Sequence, residues 1–202
     1  MPPVRLSQQP DADALLSTDP LALLIGMLLD QQVPMERAFA APRALADRLG
    51  VDRLSAEAIA DADADELVSI FSAPPALHRF PGSMAARVQL LCRALVDQYG
   101  GDPELLWQEA ETGQELLRRL RNLPGFGAQK ASIFLALLGK QYDVQPPGWR
   151  EAAGPYGDPD AVRSVADVTG PESLAAVREY KKQAKAAAVV PEARRDDKAG
   201  RP

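Results

Sequence analysis

The residues of this 202-residue chain whose types and spacing could do chemistry gather in one stretch, Leu123-Pro124-Gly125-Phe126-Gly127 followed by Ala128-Gln129-Lys130. Helix-like sequence flanks it, Glu115 to Leu120 upstream and Ala128 to Gly139 downstream. A Pro-Gly-x-Gly turn between two helices exposes backbone N–H groups at the start of the second. Such groups form an anion site, and phosphate is the commonest biological anion to fill it. A side chain at Gly125 or Gly127 would obstruct both the tight turn and the close approach of a phosphate. For the string alone, the plainer alternative is an ordinary helix–helix turn, which Pro and Gly often punctuate. Between Thr112 and Arg150 stand Arg118, Arg119, Arg121, Lys130, Lys140 and Arg150 against Glu115 and Asp143, a local charge of +4 in a chain of net charge −5. A solvated helix face would carry the same residues. The acidic overall balance argues against broad adhesion to nucleic acid, so any such contact would be local.

The elements that must position this stretch all read as helical. Ser17-Thr18-Asp19-Pro20 is a helix start, with a cap and then Pro near the first helical position, and it opens the apolar run Leu21 to Leu29. Gln31-Gln32-Val33-Pro34 interrupts, and helical spacing resumes from Met35 to Leu49 before Gly50. Ser55 to Ala60 and Asp63 to Phe71 predict two short helices with polar caps. A loop holding His78 follows, and Ser83 is expected to cap a long helix to Tyr99, with Gly100-Gly101 as its stop. A helix from about Pro103 to Glu109 precedes the hairpin pair. Tyr142 to Pro159 is rich in Pro and Gly and reads as an irregular connection, with helix returning over Asp160 to Val168 and Glu172 to Ala187. Residues 189–202 mix charge, Pro and Gly and are expected to be disordered. No segment alternates as a strand does, and the fold class is all-α.

The nine residues Leu123 to Ala131 resemble the helix-hairpin-helix signature of the superfamily of endonuclease III and 3-methyladenine DNA glycosylase II, the HhH-GPD family of base-excision DNA repair proteins. Leu28-Leu29-Asp30-Gln31-Gln32-Val33 is similar to that family's early L-L-x-x-Q segment, and the helix from Ser83 to the one preceding the hairpin pair. The resemblance covers roughly residues 20 to 150. It implies a two-lobed helical glycosylase fold with a cleft between the lobes. Residues 1–19 would pack on the second lobe, 20–140 would form the core lobe with the hairpin at about 113–139, and 141–188 would complete the second lobe. It implies a DNA partner, a damaged or distorted duplex, with one base extruded. The void left by that base must be filled by side chains. Gln32 stands at the family's first such position. Phe80 falls near the second, with Leu77 behind it. Plain alternatives are a helix-terminal polar residue for Gln32 and simple packing for Phe80. Gly125, Phe126, Gly127, Gln129 and Lys130 would contact DNA, and the hairpin is where a monovalent cation would sit. His78 could touch phosphate, although an exposed loop histidine is the simpler reading.

The chemistry is less complete than the scaffold. The family uses a carboxylate beyond the second hairpin helix to support the oxocarbenium-like sugar, as glycoside hydrolysis does. Local matching puts that position between Gln145 and Gly148, none of them acidic, which leaves Asp143 a few residues early and Glu151 slightly late as catalytic candidates. Asp143 could equally be an ordinary loop or capping carboxylate. Strand-nicking relatives carry a Schiff-base Lys at the seventh motif residue. Here that residue is Gln129, and Lys130 is turned by about 100° from it along a helix. Trp149 could stack on an extruded base or lie buried.

Composition narrows the classes further. One cysteine, Cys92, excludes a disulfide framework and a four-cysteine iron–sulfur cluster, and one histidine, His78, leaves no obvious zinc site. No cofactor is expected. No run approaches membrane-spanning length, and the start lacks a signal peptide's apolar core. A cytoplasmic monomer is the expectation. Three functions follow in order: a monofunctional DNA glycosylase, a non-catalytic binder of damaged or distorted DNA, and a helical protein-interaction module.

Overall fold

Apolar stripes recurring every three to four residues, several of them bounded by a cap or a glycine, make the described residues predominantly helical. The computed structural model describes residues 4–189, and among them are eleven α-helices and no strand. They are α1 (Pro10–Thr18), α2 (Pro20–Leu29), α3 (Met35–Leu49), α4 (Ala56–Asp61), α5 (Ala64–Ser72), α6 (Pro81–Tyr99), α7 (Leu105–Gln108), α8 (Gly113–Asn122), α9 (Ala128–Gln141), α10 (Trp149–Ala153) and α11 (Pro171–Val189). The expected tail lies outside the described residues, apart from Val189, which closes α11.

The helix starting at Asp19 is the centre of the molecule. Pro20 occupies its first turn, and one Asp19 oxygen accepts the N–H groups of Leu21 and Ala22 at 3.0 and 3.2 Å. The other accepts Leu54 N–H at 2.9 Å, which anchors the approach to α4. Leu21 to Leu29 are all buried, as an all-apolar helix must be. Around α2 runs one continuous core that includes Phe39 of α3, Leu91 and Cys92 of α6, and Phe134 and Leu135 of α9. Burial pushes the Cys92 thiol up to about 12, so it packs as an inert apolar group. Helices α1 and α2 pack on α3, α4 and α5 on α6, and α8 and α10 on α9.

Three elements differ from their sequence expectation. Helix α1 ends in the Ser17-Thr18 that reads as a start, and no side-chain cap marks its own beginning at Gln9. It packs on α2 and α3, and Tyr142 Oη of the later segment donates to Leu16 O at 3.0 Å. Helix α6 begins at Pro81 with Phe80 as N-cap, ahead of the expected cap Ser83, because proline's fixed φ suits the first helical position. The expected helix over Asp160 to Val168 is only a 3₁₀ turn at Val165–Asp167. There the Asp167 carboxylate accepts the N–H groups of Arg163 and Ser164 and pairs with Lys140 at 2.5 Å, holding Ser164 extended.

The Pro-rich connection after α9 is ordered by two glycines. Gly113 N–H donates to Pro147 O at 2.8 Å, and a Cβ on Gly113 would lie 2.4 Å from Trp149 Cα. A Cβ on Gly139 would meet the Trp149 ring at 2.4 Å. Trp149 is therefore buried against both hairpin helices rather than offered to a base.

Candidate nucleic-acid interface

Helix α8 is capped by Thr112, whose hydroxyl accepts Glu115 N–H at 3.2 Å, and it delivers the chain to the turn at Leu123. Gly125 has φ +82°, and a Cβ there would sit 2.3 Å from Leu28 Cδ1. That glycine serves the turn and the seating of the hairpin on α2 together. Gly127 is different. It is the N-cap of α9 at φ −69°, exposed, and a Cβ would find nothing within 4 Å. The fold does not require glycine there, which leaves the space open to a ligand. No acceptor in the described residues takes the N–H groups of Ala128, Gln129 or Lys130, and no side chain caps the helix. Three free donors and the positive end of a 14-residue helix face outward together.

Two of the hairpin residues expected to touch DNA turn inward. The Phe126 ring is buried edge-on against Phe134, with centroids 5.7 Å apart, and its N–H donates to Leu123 O at 3.1 Å. Neither its ring nor its amide is free for a ligand. Lys130 Nζ donates to Met27 O at 2.7 Å and Leu28 O at 2.8 Å, so it caps the C-terminal end of α2 where those carbonyls lack helical partners. Burial pulls the Lys130 ammonium down to about 8. Gln129 stays exposed, and its Nε2 donates to Tyr156 Oη at 2.9 Å.

Beside the hairpin lies a cleft of about 550 Å³, walled by Asp30, Gln32, Gln129, Lys130, Tyr156, Tyr180 and Lys181 among others. Its carboxylate is Asp30, the C-cap of α2. Burial raises the Asp30 carboxyl above its ordinary value, while Lys181 and Lys130 pull it back and Glu36 adds to the rise. Neither Asp143 nor Glu151 lines this cleft. Asp143 is exposed at φ +57°, and Glu151 is exposed on α10. The backbone geometry after α9 turns them away because Trp149 docks into the hairpin helices. Asp30 carried one sequence signal, a lone acid directly after a fully apolar helix. Its significance needed the hairpin, a hundred residues on, to pack beside it.

The two expected void-filling side chains are both outside the core. Gln32 is exposed at φ +57° and Phe80 is 42% exposed, with the Arg79 guanidinium 5.3 Å from its ring centroid. Leu77 is buried and unavailable for that role. His78 is buried as well, against the expectation of an exposed loop residue. Its Nδ1 accepts Phe80 N–H at 3.0 Å, so Nε2 carries the proton and donates to Gln31 O at 2.9 Å. The loop bearing Gln32 and the loop bearing Phe80 are thereby tied together. Arg87 donates to Gln31 Oε1 at 3.0 Å and reinforces the tie.

Among the described residues no single helix is long and apolar enough to cross a membrane, and no group of three or more His, Cys, Asp or Glu could hold a metal ion. A search of curated proteins returns no match. A family model described as HhH-GPD superfamily base excision DNA repair protein matches residues 25–192, which takes in both the Gln32 loop and the hairpin. With its all-α fold, its hairpin of free N–H groups and that match over most of its length, the chain belongs to the HhH-GPD superfamily of base-excision DNA repair proteins, a family of DNA-binding proteins.

Proposed function

We propose that this protein is a monofunctional DNA glycosylase that grips a damaged duplex through the hairpin and cuts the N-glycosidic bond of an extruded base. The observation that carries this reading is the cleft beside the hairpin. Its volume of about 550 Å³ lies in the range that takes small ligands, and tyrosines and polar side chains line it together. Tyr156 and Tyr180 offer aromatic surface to a base, and Gln129 and Lys181 offer donors. Gln32, on the cleft wall, and Phe80 would fill the void left in the duplex. The monovalent cation would be held by backbone carbonyls of the turn. Gly125 O accepts no hydrogen bond among the described residues.

Base release settles the matter by experiment. Duplexes carrying uracil, alkylated or oxidised bases are incubated with protein in excess, and free base is measured. Release from at least one lesion is the expected result, and no release across the panel would end the glycosylase reading. Strand nicking is not expected, since Gln129 cannot form a Schiff base and Lys130 is engaged with α2. A borohydride-trapped adduct lost on Lys130→Met would replace the monofunctional reading with a lyase one. A second reading, binding without catalysis, is favoured by the exposure of Asp143 and Glu151 away from the cleft. It predicts tight, salt-sensitive binding to distorted duplex with no base released.

A further inference from the structure

Most other buried acids among the described residues are engaged in holding the fold, although Glu36, which pairs with Arg178 through Oε1, leaves its Oε2 buried without a partner. Asp13 accepts from the N–H and hydroxyl of Ser7, both at 2.8 Å. Asp19 accepts three backbone N–H groups. Asp167 pairs with Lys140 and takes two backbone N–H groups. Asp30 differs from all of these in standing on the cleft wall. Its carboxylate lines the cleft, and only burial and nearby charges act on it, with no hydrogen bond from any described residue. Its oxygens are open to the cleft and not committed to the fold, so a group entering the cleft can meet them.

Its backbone, by contrast, is held from several sides. Asp30 N–H donates to Gly26 O at 3.0 Å, and Gln31 N–H to Leu29 O at 2.7 Å. Lys130 clamps the carbonyls of Met27 and Leu28, and His78 fixes Gln31 O. Rigid backbone with a free functional group is the arrangement a reacting site requires. Position in the chain adds a second constraint. Asp30 stands two residues before Gln32 on the same connection from α2 to α3. If Gln32 occupies the void in the duplex, the nucleotide that left it lies beside the Asp30 end of that connection.

We infer that Asp30 supplies the carboxylate that faces the sugar of the extruded nucleotide, taking the role that sequence matching would give to Asp143 or Glu151. The inference rests on the glycosylase reading for its reaction. As the C1′–N bond breaks, its electron pair leaves with the base and positive charge develops on the sugar, opposite the Asp30 carboxylate. Water then forms the C1′–O bond. Its proton passes to Asp30 and on to the departed base, so the carboxylate is restored. Lys130, Lys181 and Glu36 are the charged groups acting on Asp30. Burial is the largest influence and raises the carboxyl, and the two ammonium groups oppose that rise.

The test separates this inference from the glycosylase reading by using a probe that needs no turnover. Two duplexes are compared, one with a cationic pyrrolidine abasic-site analogue and one with the neutral tetrahydrofuran analogue. Wild type should bind the cationic one at least about tenfold more tightly, as close opposite charges at an interface do. Asp30→Asn should abolish that preference while binding the neutral analogue as wild type does, which also reports that the variant is folded. Asp143→Asn and Glu151→Gln should keep the preference. As a check without any variant, the wild-type preference should fade as the pH is lowered and Asp30 gains a proton, at a higher pH than an ordinary carboxylate would, while the pyrrolidine stays charged. Equal wild-type affinities for the two analogues, or a preference that survives Asp30→Asn, would overturn the inference. Base release that persists in Asp30→Asn would overturn it as well. Loss of the preference in a protein that releases no base would uphold the placement of Asp30 and reject the glycosylase activity alone.

Discussion

Replacing Gly127 by alanine should weaken DNA binding strongly and leave the fold nearly untouched. Gly127 lies at φ −69°, which any residue adopts, and an added Cβ finds no atom within 4 Å. Loss of a good N-cap residue should cost no more than about 1 kcal/mol of stability. The methyl group would stand at the mouth of the free N–H groups of Ala128 and Gln129 and hold a phosphate away. A charge-assisted hydrogen bond contributes about 1.5–3 kcal/mol. Losing one should raise Kd about 10- to 150-fold. Fluorescence anisotropy with a labelled duplex across a salt series gives the affinity, and urea unfolding gives the stability. Gly125→Ala is the contrast. It would place a side chain at φ +82° and 2.3 Å from Leu28 Cδ1, at a backbone cost of about 1–2 kcal/mol before any clash, so stability and binding should fall together. A Gly127→Ala protein that folds normally and binds DNA within twofold of wild type would refute the phosphate site at α9.

Three further outcomes are expected. Lys130 is held at about 8 against an ordinary 10.5, so between those values the unfolded chain binds more protons and stability should rise with pH, by at most about 3 kcal/mol. Urea midpoints of Lys130→Met should lack that rise, and a difference from wild type that stays flat across the window would contradict it. Gly139→Ala drives a Cβ to within 2.4 Å of the Trp149 ring and should cost about 1–3 kcal/mol. Gly113→Ala, which meets Trp149 backbone instead of a movable side chain, should lower Tm further in a thermal melt. Phe80→Ala should leave stability within about 0.5–1 kcal/mol, because the ring is 42% exposed, while weakening binding to duplexes with an extruded nucleotide by about 1–3 kcal/mol. Equal losses on undamaged duplex would show that Phe80 does not fill the void.

What the linear chain determines here is mostly local. The cap and proline at Asp19-Pro20, the stops at Gly50 and Gly100, and the Pro-Gly-x-Gly turn act over a few residues, so helices α2, α3, α8 and α9 are legible without any tertiary contact. The same holds for the exposed N–H groups at Gly127, which follow from a helix beginning after a turn. Gln129 at the seventh motif position is likewise a matter of counting. Where a cap signal is shared or missing, as at α1 and over Asp160 to Val168, local reading loses the boundary, because the competing partner comes from elsewhere in the chain: Lys140, in the second case.

Tertiary packing decided the site. Lys130 looks like a surface lysine until the end of α2 arrives with two carbonyls that lack helical partners. His78 sits among prolines and reads as exposed, yet it is buried because Gln31 O, forty-seven residues back, needs a donor. Asp143 and Glu151 lie near the matched position in sequence, but Trp149 docks into the gap left by two distant glycines and turns that segment from the cleft. Asp30 became the cleft carboxylate only when residues about a hundred positions apart packed side by side. Backbone turns are encoded by neighbours. The environment of a charge is encoded by whatever the fold brings against it.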